Sequence, residues 1–332
     1  MSARSPADNR RNRDRAGRSR RWARRLASRA WEPGALLLLG LIVGAGVAEG
    51  ANFCQDTAQR TERSCQAGGQ SDYWLGVAKC TNTPDSAARN ECLRQVSAAR
   101  KDSVSTCTAQ LGARRDACAR LGGAAYDPVI DPANFVAKVD NPYFPLKPGT
   151  TFIYEGSTAD GFEHNEFAVT HNTRVILGVT CVEIRDTVTL NGKLIEDTLD
   201  WFAQDKEGNV WYFGENSKQL AGGLIVGLEG SWTAGVDGAK PGIIMKTQPA
   251  VGDFYRQEFA IATAEDLAEV VSLTESVSVP YGSFTGCLKT RETSPLEPDA
   301  AEAKFYCRGV GQVLTVDLTN GDEVKLVKIV TE

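Results

Sequence analysis

The chain has 332 residues, enough for one large domain or two small ones, and its charge is unevenly distributed. Residues 1–34 hold 11 Arg and 3 acidic residues, whereas the remainder holds 26 basic and 39 acidic residues. Such an acidic chain has no general electrostatic attraction for nucleic acid or for an anionic membrane surface, so both are excluded as expected partners of the main body.

The N-terminal segment has the layout of a secretory signal peptide. Its Arg-rich start precedes an apolar run at 34–48, and small residues follow. That run is shorter than the roughly 20 residues that a membrane-spanning helix needs. We therefore predict a signal peptide over 1–50 and an exported, periplasmic or extracellular protein. The alternative is that this segment stays uncleaved and anchors the protein, which would then be its sole membrane contact.

Six cysteines follow with mirror-image spacing, at gaps of 11, 15, 12, 15 and 11 residues. Two antiparallel helices of equal rise would place them opposite each other in nested pairs. A disulfide needs Cα atoms within about 7 Å, so cysteines 11 residues apart on one helix cannot pair. The pattern predicts a helical hairpin over 51–124; a threefold repeat that pairs adjacent cysteines also fits. The predicted disulfides are Cys54–Cys118, Cys65–Cys107 and Cys80–Cys92.

A linker is expected over 125–139, and an antiparallel β domain over 140–332. Short runs rich in Val, Thr, Ile and aromatic residues alternate there with turn sequences. Asn191-Gly192 has the composition of a type I′ hairpin, and 205–209 and 320–321 are also predicted turns. One short segment, 263–271, has a helical pattern. The predicted fold class is therefore α+β, with a curled sheet, half-barrel or sandwich as the β domain.

Four segments of the β domain carry a resemblance. They read NPYFPLKPGT at 141–150, DWFAQDKEGNVWYFGE at 200–215, VPYGSFTGCLK at 279–289 and KFYCRGVG at 304–311. Together they resemble an uncharacterised family of exported bacterial proteins, which implies an exported β-rich domain and supplies no catalytic residue. The segments around Phe284 and Gly311 are also loosely similar to periplasmic lipoprotein-carrier domains, which hold apolar ligands on a curved sheet.

Three cysteines remain in the β domain. Cys287 and Cys307 flank a predicted hairpin centred near Glu297, where hairpin symmetry would place them opposite each other. We predict a fourth disulfide between them and a buried free thiol at Cys181. A Cys181–Cys287 pair is the competing arrangement.

Sequence motifs for catalysis are scarce. No metal-binding, nucleotide-binding or nucleophile motif occurs, so neither a metal nor a cofactor is expected. The two histidines, His164 and His171, are seven residues apart and would lie on opposite faces of a strand. Carboxylates cluster between residues 197 and 215, and Asp200 and Asp205 are the candidates for the acid pair of a hydrolase.

Aromatic residues give a second candidate site. They are dense between residues 201 and 255, where core packing and a ligand-binding hollow are both possible roles. The Gly-rich segment 221–242 would be a mobile lid over such a hollow. The sequence thus favours a non-enzymatic domain that binds a small apolar or sugar-like ligand, or a cell-envelope partner, over a carboxylate-dependent hydrolase. The predicted ligand-binding residues are Trp201, Trp211, Phe213, Trp232 and Tyr255; Phe202 and Tyr212 complete the cluster.

Overall fold

The computed structural model describes residues 52–332. The predicted signal peptide lies outside the described residues. Two compact units make up the described chain, residues 52–125 and residues 126–332. The first is helical and the second is mostly antiparallel sheet, so the predicted α+β class is confirmed.

The first unit is a pair of long helices, α1 (Phe53–Thr81) and α2 (Ser86–Leu121). The side chain of Asn52 accepts a hydrogen bond from Gln55 N at 3.1 Å at the start of α1. Asp85 does the same for Ala88 N at 2.7 Å at the start of α2. Such caps satisfy backbone donors that have no partner within the helix. In the described residues, neither helix is both long enough and apolar enough to cross a membrane.

Three disulfides join the two helices as rungs of a ladder, which confirms the predicted hairpin. The Cα–Cα distances are 5.7 Å for Cys54–Cys118, 5.8 Å for Cys65–Cys107 and 5.5 Å for Cys80–Cys92. Apart from cysteines, the buried apolar residues of this unit are Ala58, Leu111 and Ala117. Covalent rungs therefore replace the hydrophobic core that so small a unit lacks.

Glycines within α1 mark the closest approach of the two helices. Gly68 and Gly69 leave α1 unbroken. A β-carbon at Gly69 would collide with the Ser103 side chain, and one at Gly76 would lie 2.9 Å from Val96 Cγ2. The absence of a side chain thus serves helix packing and does not end the helix, because contacts across the hairpin offset the poor helix propensity of glycine.

The second unit contains a 3₁₀ turn (Pro132–Asn134) and 19 strands. The strands are β1 (Phe135–Val136), β2 (Val139–Asn141), β3 (Phe144–Leu146), β4 (Thr150–Thr158), β5 (Gly161–Ile176), β6 (Val179–Leu190), β7 (Lys193–Asp205), β8 (Val210–Asn216), β9 (Gln219–Ala221), β10 (Leu224–Gly227), β11 (Trp232–Thr233), β12 (Lys240–Met245), β13 (Phe254–Arg256), β14 (Glu258–Phe259), β15 (Leu267–Val279), β16 (Gly282–Ser294), β17 (Glu297–Cys307), β18 (Gly311–Asp317) and β19 (Glu323–Thr331).

The main sheet curls into a nearly closed barrel. Consecutive antiparallel pairing runs from β4 to β8, and β8 then pairs with β12. β12 pairs with β14, β13 pairs with β15, and consecutive pairing resumes through β19. β19 returns to pair with β4, which completes the ring. Closure leaves few free strand edges and creates an interior towards which every second residue points.

The predicted turns have the required backbone geometry. Asn191 and Gly192 adopt φ angles of 51° and 74° between β6 and β7, as a type I′ turn requires. Between β7 and β8, the carboxylate of Asp205 accepts a hydrogen bond from Asn209 N at 2.9 Å. Gly321, at φ 81°, lies in the connection between β18 and β19.

The helix expected over 263–271 is wrong. Residues from Leu267 onward belong to β15, which pairs with both β13 and β16. A tight turn precedes the strand: Ala262 has φ 62°, and its N–H donates to Glu265 Oε1 at 2.7 Å. Two neighbouring strands supply partners for the backbone of this segment, and that pairing overrides its weak local helix preference.

Residues 126–139, predicted as a linker, pack on the sheet. The Tyr126 ring lies edge-on to Phe259 at 5.2 Å, and its hydroxyl donates to the Pro241 carbonyl at 2.9 Å. β1 pairs with β7. The Pro-rich composition of this segment thus reflects irregular backbone that is fixed by contacts with the β domain.

The three cysteines of the β domain form one disulfide and leave one free thiol. Cys287 and Cys307 form the fourth disulfide, with a Cα–Cα distance of 4.4 Å. Cys181 is a buried free thiol whose pKa is raised by burial to about 12, so it stays protonated at neutral pH.

The Gly-rich segment 221–242, expected as a lid, contains β10 and β11 and the last residue of β9. The apolar residues of β10 are exposed.

Candidate functional site

The barrel surrounds a cavity of about 390 Å³. Exposed Glu229 and Ala300 are among its lining residues, so the cavity is open to solvent. Its lining combines aromatic rings, amides and many carboxyl groups. The carboxyl-bearing lining residues are Glu163, Asp186, Glu196, Asp200, Glu215, Glu229, Glu258, Asp266, Glu292, Glu297, Glu302, Asp317 and Asp322.

Four of these carboxyl groups form what we term the acidic wall: Asp200, Glu215, Glu258 and Asp266. Asp200 on β7 is paired in register with Glu215 on β8, and Glu258 lies on β14. Asp200 and Glu258 are 7% and 9% exposed. The Tyr212 hydroxyl donates to Asp200 Oδ1 at 2.5 Å. Four elements thus bring like-charged groups to one side of the cavity.

Burial favours the neutral form of each carboxyl group in the acidic wall. It raises the pKa of Asp200 and of Glu215 well above the ordinary range, and the neighbours Asp186 and Glu258, respectively, add to the rise. The pKa of Glu258 is raised in the same way, by burial and then by Asp266. Asp266 has its pKa raised to about 7, chiefly by burial, with Lys304 opposing the rise. A buried carboxyl group favours its neutral form because the charged form loses hydration.

Glu292 has a different environment. Tyr306 Oη donates to its Oε1 at 3.1 Å, and Thr290 Oγ1 donates to the same atom at 2.9 Å. Lys304 Nζ lies 2.7 Å from Oε2. Burial opposes the charge on Lys304, but the attraction of Glu292 and Glu302 outweighs it and raises the lysine pKa. The ammonium group is therefore held in an internal ion pair.

Four aromatic rings also line the cavity, and we term them the aromatic floor: Phe144, Phe167, Phe202 and Tyr306. Phe144, from the separate β2–β3 hairpin, has ring centroids 6.4, 5.4 and 6.4 Å from those of Phe167, Phe202 and Tyr306. Phe202 also stacks on Tyr212 at 4.5 Å. The β2–β3 hairpin thus contributes the Phe144 ring to the lining of the cavity, where it packs against rings of the main sheet.

Two polar atoms beside the cavity lack a hydrogen-bond partner among residues 52–332. They are Gln257 Nε2 and Asp266 Oδ1. Gln257 is 2% exposed, and both residues line the cavity. An unsatisfied buried polar atom costs about 1–3 kcal/mol, so such atoms are rare in folded proteins.

The two predicted hydrolase carboxylates are not brought together. Asp200 lines the cavity, whereas Asp205 does not. Asp205 accepts hydrogen bonds from Asn209 Nδ2 at 3.0 Å and from Trp211 Nε1 at 2.9 Å. Residues five apart on one strand point to opposite faces, which explains the separation. Glu215 is the carboxylate that pairs with Asp200 across the strands.

The five predicted ligand-binding aromatics do not line the cavity. On β7, the guanidinium carbon of Arg174 lies 4.1 Å from the centroid of the Trp201 ring. The indole N–H of Trp201 donates a hydrogen bond to Glu183. Trp211 and Phe213 pack on the Phe135 ring at 6.5 and 5.5 Å. Phe135, in the segment that packs on the sheet, thus covers Trp211 and Phe213.

The other two predicted ligand-binding aromatics, Trp232 and Tyr255, have structural contacts as well. Trp232 is buried and packs edge-on against Tyr212 at 5.5 Å. Tyr255 is 7% exposed and lies beneath the ammonium group of Lys246, 5.5 Å from its ring centroid. Phe202 and Tyr212, which belong to the same sequence cluster, are the members that face the cavity.

Sequence reasoning missed Glu258 and Asp266, which are half of the acidic wall. A usable signal exists on β16, where Thr290, Glu292 and Ser294 alternate with other residues and are all buried. Polar residues in the inward phase of a barrel strand indicate a polar interior. On β7, the polar residues Thr198, Asp200 and Gln204 are also buried at alternating positions, which indicates a polar interior in a second strand.

Metal coordination receives no support from residues 52–332, where no group of three or more His, Cys, Asp or Glu side chains is arranged to hold an ion. The histidines form surface contacts. His164 Nδ1 lies 3.0 Å from Glu155 Oε1, and His171 Nε2 lies 3.2 Å from Glu332 Oε2.

Comparison with known proteins finds one weak structural likeness and no matching family model or curated protein. A crystal structure from Parabacteroides distasonis, described as a putative lipoprotein, is 16% identical, with a TM-score of 0.29; the match covers 57% of this chain and 98% of that one. A likeness at this TM-score carries no argument about fold or function. The resemblance to exported bacterial proteins stays a prediction.

Proposed function

We propose that the β domain binds a small molecule inside the barrel and that the protein is an exported binding protein without catalytic activity. The observation that carries this proposal is the cavity of about 390 Å³ bordered by buried polar atoms that have no partner among residues 52–332. Ligand sites in proteins commonly have volumes of about 300–1,000 Å³ and combine apolar walls with a few polar groups. A bound molecule would satisfy Gln257 and Asp266 and offset their cost.

Export is supported by covalent chemistry together with the predicted signal peptide. Four disulfides tie the described chain together. Disulfides persist in oxidising compartments and are rare in the reducing cytosol. The helical hairpin would then be a rigid arm attached to the binding domain, suited to contact with a cell-envelope partner.

The test is native mass spectrometry of the protein purified from its own host. We expect a co-purified small molecule that is lost when the cavity is filled by Ala301→Trp, since Ala301 lines the cavity. Ala159→Trp is the matched control, because Ala159 is exposed in a turn and does not line the cavity. Protein that arrives empty, or retains its ligand in the folded Ala301→Trp variant, would refute the proposal.

A hydrolase is the second candidate, and the register of Asp200 and Glu215 favours it. Residues directly opposite on antiparallel strands have Cβ atoms about 4.5–5.5 Å apart, and a retaining glycosidase needs carboxyl groups about 5 Å apart. This function predicts turnover of 4-nitrophenyl glycosides that Glu215→Gln abolishes. Turnover that is no higher than that of the Asp200→Asn/Glu215→Gln double variant would eliminate it.

A further inference from the structure

The balance of charge inside the cavity identifies the class of ligand. Thirteen carboxyl-bearing side chains line it, and among residues 52–332 the one basic lining residue is Lys304. That ammonium group is already paired with Glu292 at 2.7 Å. Lys304 also acts on Asp266 and Glu258, so a single lining cation of the described chain stands against the four carboxyl groups of the acidic wall.

Resting on the binding function proposed above, we propose that the ligand is an organic cation with an apolar tail. Its protonated amine would lie among Asp200, Glu215, Glu258 and Asp266, and its tail would pack on the aromatic floor. The acidic wall and the floor line the same cavity, so one molecule can contact both.

Each end of this ligand matches a distinct feature. The amine donates hydrogen bonds, and Asp266 Oδ1 is an acceptor without a partner among the described residues. The floor presents the rings of Phe144 and Phe202, which are 5.4 Å apart, to an alkyl chain. An ammonium group can form an ion pair by favouring ionisation of a neighbouring carboxyl of the wall, whereas a neutral or anionic head group cannot.

Binding of the cation is expected to release protons. An ammonium group stabilises the ionised form of a neighbouring carboxyl, so an O–H bond of the acidic wall breaks and its proton passes to the buffer. The wall does not act in isolation. The titratable and charged groups that surround it are Asp186 on β6, Glu196 on β7, Tyr212 on β8, Glu292 on β16, and Glu302 and Lys304 on β17.

Three probes of equal chain length separate charge from apolar contact: hexylamine, 1-hexanol and hexanoate. Titration calorimetry at pH 6.5, in two buffers of different ionisation enthalpy, measures both affinity and released protons. We expect hexylamine to bind at least tenfold more tightly than 1-hexanol, hexanoate not to bind, and only hexylamine to release protons. Equal or tighter binding of 1-hexanol or hexanoate would overturn the inference.

A variant pair assigns the effect to the wall. Glu258→Gln should weaken hexylamine at least tenfold and leave 1-hexanol unchanged, whereas Glu207→Gln, at an exposed site, should change neither. Because the side-chain shape is retained, circular dichroism can verify that both variants fold. Loss of hexylamine and 1-hexanol together in folded Glu258→Gln would contradict a role of its charge.

The outcomes also distinguish this inference from the proposed function. Binding of 1-hexanol that equals that of hexylamine, and that Ala301→Trp blocks, would preserve the binding function and overturn the cationic class. If none of the probes binds, the ligand that co-purifies from the host decides: a cation supports the inference and a neutral or anionic molecule overturns it. An empty protein that binds no probe refutes both.

Discussion

Replacement of Asp266 by Asn should reduce the pH dependence of stability. Asp266 lies in the acidic wall, where burial raises its pKa from 3.8 to about 7. Asn keeps the shape of the side chain and cannot ionise. In the unfolded chain the same aspartate titrates near pH 3.9. Between these two values, the folded protein holds a proton that the unfolded chain has released.

The sign follows from this difference in bound protons. A carboxyl whose pKa is raised in the folded state contributes its full stability below the unfolded pKa and loses it as the pH rises through the folded pKa. The loss is about 1.4 kcal/mol per pH unit, or about 4 kcal/mol between pH 4 and pH 7 for a shift of this size. Ser294 and Lys304 oppose the rise in pKa, and burial outweighs them.

Urea unfolding at pH 5, 6, 7 and 8, followed by tryptophan fluorescence of the β domain, measures the effect. The free energy of unfolding of Asp266→Asn, relative to wild type, should rise by about 1.4 kcal/mol per unit from pH 5 to pH 6.5 and then level off. Asp299→Asn is the matched control, because Asp299 is exposed. Parallel profiles for wild type and Asp266→Asn would refute the assignment of a neutral buried carboxyl.

Three other predictions concern the framework. Replacing Cys54 and Cys118 with Ala removes the outermost disulfide. That disulfide closes a loop of about 22 residues beyond the next rung and should contribute about 3 kcal/mol to stability. An unchanged thermal melt, followed by helical circular dichroism, would contradict this. Trp232→Ala removes a buried indole and should cost about 3–5 kcal/mol in urea unfolding, and a loss below about 1 kcal/mol would be too small for a core residue. Gly192→Ala, at φ 74°, should destabilise the β domain by about 1–2 kcal/mol, whereas Gly112→Ala, in open space on α2, should stabilise the hairpin by about 0.5–1 kcal/mol; effects of the same sign would contradict the backbone argument.

Cysteine spacing favoured the helical hairpin, although a threefold repeat also fitted it. Helical rise per residue is constant, so nested cysteine positions on two antiparallel helices convert directly into rungs, as Cys54–Cys118 and Cys80–Cys92 illustrate. Local turn chemistry was equally informative at Asn191-Gly192, where left-handed backbone is needed at both residues. Such features depend on residues that are close in sequence or related by a regular rise.

Segments whose structure depends on distant partners were predicted less well. Leu267–Val279 has a helical pattern at its start, yet it forms a strand because β13 and β16 lie on either side of it. The isolated pattern contains no information about those neighbours. The same holds for 126–139, whose irregular sequence gives no sign that Tyr126 packs on Phe259.

The sequence by itself determined the antiparallel β class and its turns, which follow from local geometry, and it favoured the disulfide-linked hairpin through regular helical spacing. Only the tertiary structure decided which side chains meet inside the barrel. A register shift between Trp201 and Phe202 places one extra residue in β8, so that Glu215 and Tyr212, three residues apart, both face the cavity. Since side chains alternate at every residue, a shift of one position exchanges the two faces, and barrel closure then determines which face becomes the interior.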